Sequence, residues 1–266
     1  MGKLISSSNC ISCRMDRSYE YLEARPSSEI DIYYGCLSDI RESLSLLNGM
    51  LSVEEATRVK QLRNSNDRQV YTLTHALLRL LIARRLEISP GSISFIKDKN
   101  GRPYMPGGEL SFNISHTRYA FAITIVKNYF PGIDIERSDR NIDYEQVAAN
   151  YFSKKEIDYI SGSESPRDAF YMLWTRKESL LKSIGSGIVT DLTRVEVSEE
   201  SNIIPSHLFP LGKFKPLYEK YYIYSMKLAD HQFSITIPEK RDLEIRRFTG
   251  SEIRKLVDSG IKETVK

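Results

Sequence analysis

The sequence predicts an α+β protein built as two halves, on three observations. Short alternating apolar runs read as strands, longer runs with apolar residues at helical spacing read as helices, and the order strand, helices, strands recurs after residue 128. No residue-level repeat joins the halves, so only the order of elements suggests a duplication.

Residues 1–29, with Ser6, Ser7, Ser8, Ser27 and Ser28 among scattered charges, lack periodicity and form a polar N-terminal extension. The first half, residues 30–128, opens on the alternating Ile30 to Tyr34. Ser52-Val53-Glu54-Glu55 then reads as a capping box before a helix that includes Arg58 and Leu62. From about Asp67 a longer helix carries Leu73, Leu77, Leu80, Leu81 and Leu86 to a stop at Ser89-Pro90-Gly91, and Ile93 to Ile96 is strand-like. A basic turn, Lys97 to Pro103, precedes two strand-like runs, Leu110 to Ser115 and Tyr119 to Val126, which form a hairpin around His116-Thr117-Arg118.

The second half, residues 129–240, holds a strand at Gly132 to Glu136 and helices at Ser153 to Ile160 and Pro166 to Ile184. Strands follow at Thr193 to Val197, Tyr221 to Leu228 and Phe233 to Ile237. Ser165 as N-cap, Pro166 at N1 and Gly185 just past the end mark the limits of the second helix. Residues 241–266 are a C-terminal tail with a short helix within 242–259.

The chain has 266 residues, 41% of them hydrophobic, enough to bury a core. Its 38 basic and 35 acidic residues leave a net charge of +3, too small to indicate nucleic acid or a membrane surface as a partner, so an anionic ligand needs a local basic cluster. No apolar run is long enough for a membrane span, and residues 1–20 lack the apolar core of a secretory signal; a cytoplasmic location is expected. Cys10 and Cys13 form a Cys-x-x-Cys without a second ligand pair and, with Cys36, read as reduced thiols.

Three segments carry chemistry. In Gly132 to Glu136, alternation buries Ile133 and Ile135 and turns Asp134 and Glu136 to the other face, their α-carbons about 6.6 Å apart, so both can converge on one hard cation. In the helix from Pro166, the stripe Phe170, Leu173, Trp174, Leu181 and Ile184 is buried, and Glu178 and Lys182 lie one turn apart on another face. In Phe112 to His116, a strand ends in a hydroxyl and an imidazole beside the basic turn, a grouping that suits a polyphosphate. Taken alone, each has an ordinary structural use that is the better reading: a solvated edge strand, a surface ion pair worth about 0.3–0.5 kcal/mol, and a hairpin turn.

Ser115 and His116 are neighbours on a strand and point to opposite faces, so they do not form a hydrolase pair, and no Gly-x-Ser-x-Gly elbow occurs. The phosphate-loop and dinucleotide glycine patterns are also absent from the sequence, so phosphate recognition would use side chains.

In order, Asn-Ile-Ser-His at 113–116, Gly-Ile-Asp-Ile-Glu at 132–136, Phe-Ser-Lys-Lys-Glu at 152–156 and Trp-Thr-Arg-Lys-Glu-Ser-Leu-Leu-Lys at 174–182 resemble the signature of the Sfp-type 4'-phosphopantetheinyl transferases. Their joint order and spacing reverse the balance set for each motif alone. The resemblance implies two similar α+β subdomains in a pseudo-twofold arrangement, with coenzyme A in the cleft between them, and a monomer. It implies Asp134, Glu136 and Glu178 as Mg²⁺ ligands and Lys182 as a phosphate contact that assists the leaving group. Ser115 and His116 correspond to a phosphate-binding pair, and Asn113 belongs to the same signature. Arg58, Lys97 and Gly101-Arg102-Pro103 resemble coenzyme A contacts, although Lys is more usual than Arg within that tripeptide.

The implied reaction moves the 4'-phosphopantetheine group of coenzyme A to a serine hydroxyl of an apo acyl or peptidyl carrier protein and releases 3',5'-adenosine bisphosphate, with Glu178 accepting the serine proton directly or through water. A metal-dependent phosphodiester or pyrophosphate hydrolase, or a non-catalytic module that binds coenzyme A or carrier proteins, would use the same residues. The segments before Ile30 and after Pro238 have no counterpart in the resemblance.

Overall fold

The computed structural model describes residues 30–263 except Asn48, Glu109, Arg140, 187–190, 198–200, 204–217 and Glu219. The expected extension, 1–29, with Cys10 and Cys13, lies outside the described residues, as does the last part of the expected tail, 264–266.

Two mixed lobes are present. In the first, β1 (Ile30–Cys36) is followed by α1 (Leu37–Ile40), α2 (Val53–Gln61) and α3 (Ser65–Leu86). A two-stranded ribbon, β2 (Ile96–Lys97) and β3 (Pro103–Tyr104), leads to the hairpin β4 (Leu110–His116) and β5 (Ala120–Lys127). In the second, β6 (Gly132–Arg137) precedes α4 (Tyr144–Tyr151), α5 (Lys154–Ser161) and α6 (Pro166–Ile184), and then β7 (Ser201–Ile203), β8 (Lys220–Leu228) and β9 (His231–Ile237). Within each sheet three strands share one antiparallel order, first beside last and last beside the one before: β1-β5-β4 in the first lobe and β6-β9-β8 in the second. The recurrence read from the order of elements is therefore also a recurrence of strand pairing.

Strict alternation divides the core into layers. On β5, Phe121, Ile123 and Ile125 pack with Leu73, Leu77 and Leu80 of α3, whereas Ala120, Ala122 and Val126 join Ile133, Ile135, Phe233 and Ile235 of the second sheet. Beyond the second sheet, α6 contributes Phe170, Leu173, Leu180 and Ile184 to a third cluster with Tyr221 and Ile223. The helices thus lie outside and the two sheets share an inner core. Gly132 sets how closely α6 lies against β6: a β-carbon there would stand 1.7 Å from the Ser179 carbonyl oxygen.

Several elements differ from the sequence expectation. The C-terminal tail is part of the first lobe: β10 (Ile245–Arg247) pairs parallel with β1, and α7 (Gly250–Glu263) buries Ile253, Leu256 and Val257 in the first core with Phe248. Such a parallel return needs a long crossover, here the rest of the first lobe and the whole second lobe, and local patterning does not reveal it. The strand expected at 193–197 is instead a 3-10 turn, Leu192–Arg194, and an extended stretch. Among the described residues, its backbone groups bond to Lys177, Arg176 and Glu156 and not to a neighbouring strand. Ile93 to Ile96 is strand only at Ile96, because Arg79 takes the Ile93 carbonyl at 2.7 Å. Sequence periodicity also missed α4.

Candidate active site

The site forms where the edge strands β4 and β6 meet under α6. Antiparallel pairing leaves alternate backbone groups of an edge strand without a strand partner. The Asn113 side-chain oxygen accepts the Ile133 N–H at 3.0 Å, and the Ser115 hydroxyl accepts the Ile135 N–H at 3.4 Å. Both pairs are two residues apart, the strand period, so one face of β4 matches one edge of β6. Asn113 and Ser115 are struts between the lobes before they are candidates for ligand contact.

On the face of β6 opposite Ile133 and Ile135, Asp134 is buried. Its Oδ1 accepts from the Ser115 hydroxyl at 2.7 Å and from the Lys182 ammonium at 2.6 Å, while its Oδ2 is buried without a hydrogen-bond partner. Lys182 Nζ also donates to Ser115 Oγ at 3.1 Å and to the Ile133 carbonyl at 3.2 Å. Glu136 is half-buried opposite Gln232 of β9. Glu178 sits one turn before Lys182. Burial, and then the charge of Asp134, push its carboxyl above the usual range, against the opposing pull of Lys182.

Carboxylate oxygens are the hard donors that Mg²⁺ prefers, and the unpartnered, buried Asp134 Oδ2 is a position a cation would satisfy. As the side chains stand, among the described residues no three acidic, histidine or cysteine side chains are gathered closely enough to hold a metal ion. The Lys182 ammonium lies on the other oxygen, Oδ1.

His116 ends β4 with an exposed side chain, but the protein crowded around it holds its pKa below the ordinary imidazole value; the charges of His75 and Lys182 act in the same direction. His75, which periodicity within α3 gave no reason to single out, stacks on Tyr71 with ring centroids 4.0 Å apart and contacts Glu55 through Nδ1 at 3.2 Å. Arg58 is exposed on α2, where its guanidinium donates to the Gln61 side-chain oxygen at 3.4 Å. Thr117 and the buried His231 make a further inter-lobe contact at 3.4 Å.

The basic turn has a different use from the one expected. Asp98 organises it by accepting from the Asn100 and Arg102 N–H groups at 2.8 and 2.9 Å, and Gly101 takes a left-handed conformation, φ +84°. The Arg102 guanidinium donates to the Lys182 and Ser183 carbonyls and lies over the Phe130 ring, so it caps the C-terminal end of α6 and does not point freely at a ligand. Asn100 adds a bond to the Gly185 carbonyl at 2.7 Å. Pro103 begins the ribbon strand β3 and Lys97 is exposed on β2.

Sequence reasoning assigned no role to two buried charges in the motifs. Glu156 completes a capping box with Ser153 and also accepts the Lys177 ammonium at 2.8 Å; the two side chains are 0% and 1% exposed. Lys177 also donates to the Leu192 and Val195 carbonyls at 2.8 and 2.6 Å, which gives each of its three protons an acceptor. Ser-Lys-Lys-Glu was readable as a capping box; the burial of Lys177 had no local signal.

The sequence model of the 4'-phosphopantetheinyl transferase superfamily matches residues 131–237, and that of the 4'-phosphopantetheinyl transferase N-terminal region matches residues 38–126. Similar proteins include a putative 4'-phosphopantetheinyl transferase of Synechocystis, 28% identical over 151 residues, which cover 55% of this chain and 61% of the relative. The 4'-phosphopantetheinyl transferase HetI of Nostoc is 26% identical over 178 residues, 65% of this chain and 75% of the relative. The 4'-phosphopantetheinyl transferase Sfp of Bacillus subtilis is 29% identical over 150 residues, 55% of this chain and 66% of the relative. The match to the Synechocystis protein thus spans less than two thirds of that protein's length.

Proposed function

The chain belongs to the Sfp-type 4'-phosphopantetheinyl transferase family, and from that premise we propose that it transfers the 4'-phosphopantetheine group of coenzyme A to a serine hydroxyl of an apo acyl or peptidyl carrier protein. The observation that carries the reading is the grouping of Asp134, Ser115 and Lys182 at the junction of the lobes, with Glu178 one turn away on α6. Asp134, Glu136 and Glu178 would hold Mg²⁺, which would supply charge neutralisation for the phosphates. The carrier serine oxygen forms a bond to the β-phosphorus as the bond from that phosphorus to the bridging oxygen breaks, which releases 3',5'-adenosine bisphosphate. Glu178 accepts the serine proton, directly or through water. Lys182, reoriented from Asp134, donates to the phosphate that departs. His116 and Arg58 supply donors for the remaining phosphate, and a monomer in the cytoplasm completes the reading.

The test is intact-protein mass spectrometry of an apo carrier protein incubated with this protein, coenzyme A and Mg²⁺. A gain of one phosphopantetheine mass, lost with EDTA and with the target serine changed to alanine, is expected. Coenzyme A cleavage without a gain across several carrier classes would indicate a hydrolase, and binding without cleavage a binding module. Glu178→Gln should reduce transfer sharply with the fold intact; near-normal turnover would exclude it as an essential base.

A further inference from the structure

The two oxygens of Asp134 are unlike. Oδ1 is held by the Lys182 ammonium and the Ser115 hydroxyl, whereas Oδ2 is buried and meets no donor. Lys182 is equally specific in its partners: Asp134, Ser115 and the Ile133 carbonyl satisfy its three protons, and all lie at the junction of β4 and β6. Its side chain is 29% exposed, against 6% for Asp134, so the lysine reaches solvent where the carboxylate does not. One carboxylate thus carries the Lys182 ammonium on Oδ1 and has Oδ2 left for a divalent cation.

Resting on the metal reading above, we propose that Lys182 is an internal counter-cation: in the metal-free protein its ammonium holds Asp134 and competes with the divalent cation for that carboxylate. Two cations on opposite oxygens of one carboxylate repel within a few ångström, in a site partly screened from water. A phosphate that draws the ammonium off Asp134 removes that repulsion. By linkage, cation and phosphate then strengthen each other's binding through Lys182. Lys182 is in this respect a positioning residue for the cation, in addition to any contact with the substrate.

The experiment is titration of Mn²⁺ alone into the metal-free full-length protein, read by calorimetry and by the electron spin resonance signal of free Mn²⁺, with thermal melts to verify folding. Lys182→Met should bind Mn²⁺ about tenfold or more tightly than wild type, the scale of removing a like charge at such a distance. Asp134→Asn added to Lys182→Met should abolish the gain. Lys182→Arg, which keeps the charge, should stay within a few-fold of wild type; tightening as large as in Lys182→Met would show a packing effect and overturn the role. Equal or weaker binding by folded Lys182→Met, where wild type binds measurably, also overturns it and leaves the metal reading intact. No Mn²⁺ binding at millimolar concentration by either protein overturns both. If Lys182→Met does not fold, Lys182→Gln, which retains a donor for the Ile133 carbonyl, takes its place with the same readout.

Discussion

The Asn113 amide oxygen and the Ile133 backbone N–H meet at 3.0 Å across the junction of the two sheets. An amide on one edge strand thereby satisfies a backbone donor on another, and Ser115 repeats the arrangement at Ile135. Asn113→Ala strands the Ile133 donor and should cost about 1–3 kcal/mol in urea unfolding, and Asn113→Asp, which keeps the acceptor, should recover most of it. Equal losses in the two variants would show that the oxygen is not what matters.

Gly132 lies where α6 presses on β6. Gly132→Ala would place a methyl group 1.7 Å from the Ser179 carbonyl oxygen, against backbone that has no rotamer to change. A loss of about 3 kcal/mol is expected in thermal unfolding, with impaired transfer because Glu178 and Lys182 move with the helix. A melting temperature equal to wild type would mean the helix yields at little cost.

Glu55 links α2 to α3. Burial works to raise its pKa, but hydrogen bonds from His75, Arg79 and the Ser52 backbone outweigh that and lower it to about 2. A carboxyl depressed in the folded state contributes stability above its unfolded value of about 4.5 and loses it as pH falls toward 2. The contribution is on the order of 3 kcal/mol, and Glu55→Gln should flatten the loss of stability across that acid window in urea titrations. An unchanged pH profile would show that other carboxylates govern acid unfolding.

Lys155 and Lys177 provide a controlled contrast. The Lys155 side chain is 60% exposed and lies 3.6 Å from Glu196, whereas Lys177 is buried on Glu156. Lys177→Met should cost about 3–5 kcal/mol, because it leaves the Glu156 charge and two carbonyls buried without their partner. Lys155→Met should stay within about 0.5 kcal/mol. Similar effects from both, in parallel chemical denaturations, would refute the assignment of Lys177 as an internal strut.

Elements whose signals are local were legible in the sequence. The limits of α6 match Pro166 and Gly185, the hairpin β4–β5 forms with its turn at Thr117 to Tyr119, one residue later than expected, and alternation on β6 put Ile133 and Ile135 opposite Asp134. Ser165 stands at the N-cap position of α6 without a side-chain cap bond, so even there the local rule was only partly used. Where partners came from far along the chain, patterning failed: the stretch 193–197 alternates like a strand, yet side chains from α5 and α6 take its backbone groups.

The sequence by itself determined the α+β class, most strands and helices, and which residue types stand on one strand face or one helix turn, since 2.0- and 3.6-residue periods are properties of neighbouring residues. Tertiary structure alone decided which polar side chains are left for chemistry and which hold the fold. Arg102 finds its acceptor 80 residues away at the end of α6, and Asn113 finds its donor 20 residues away on another sheet. The same approach joins Lys182 to Asp134 across 48 residues and returns β10 to the side of β1. A buried polar group takes whichever partner packing brings within about 3 Å, and that distance is set only when the sheets and helices have closed on one another.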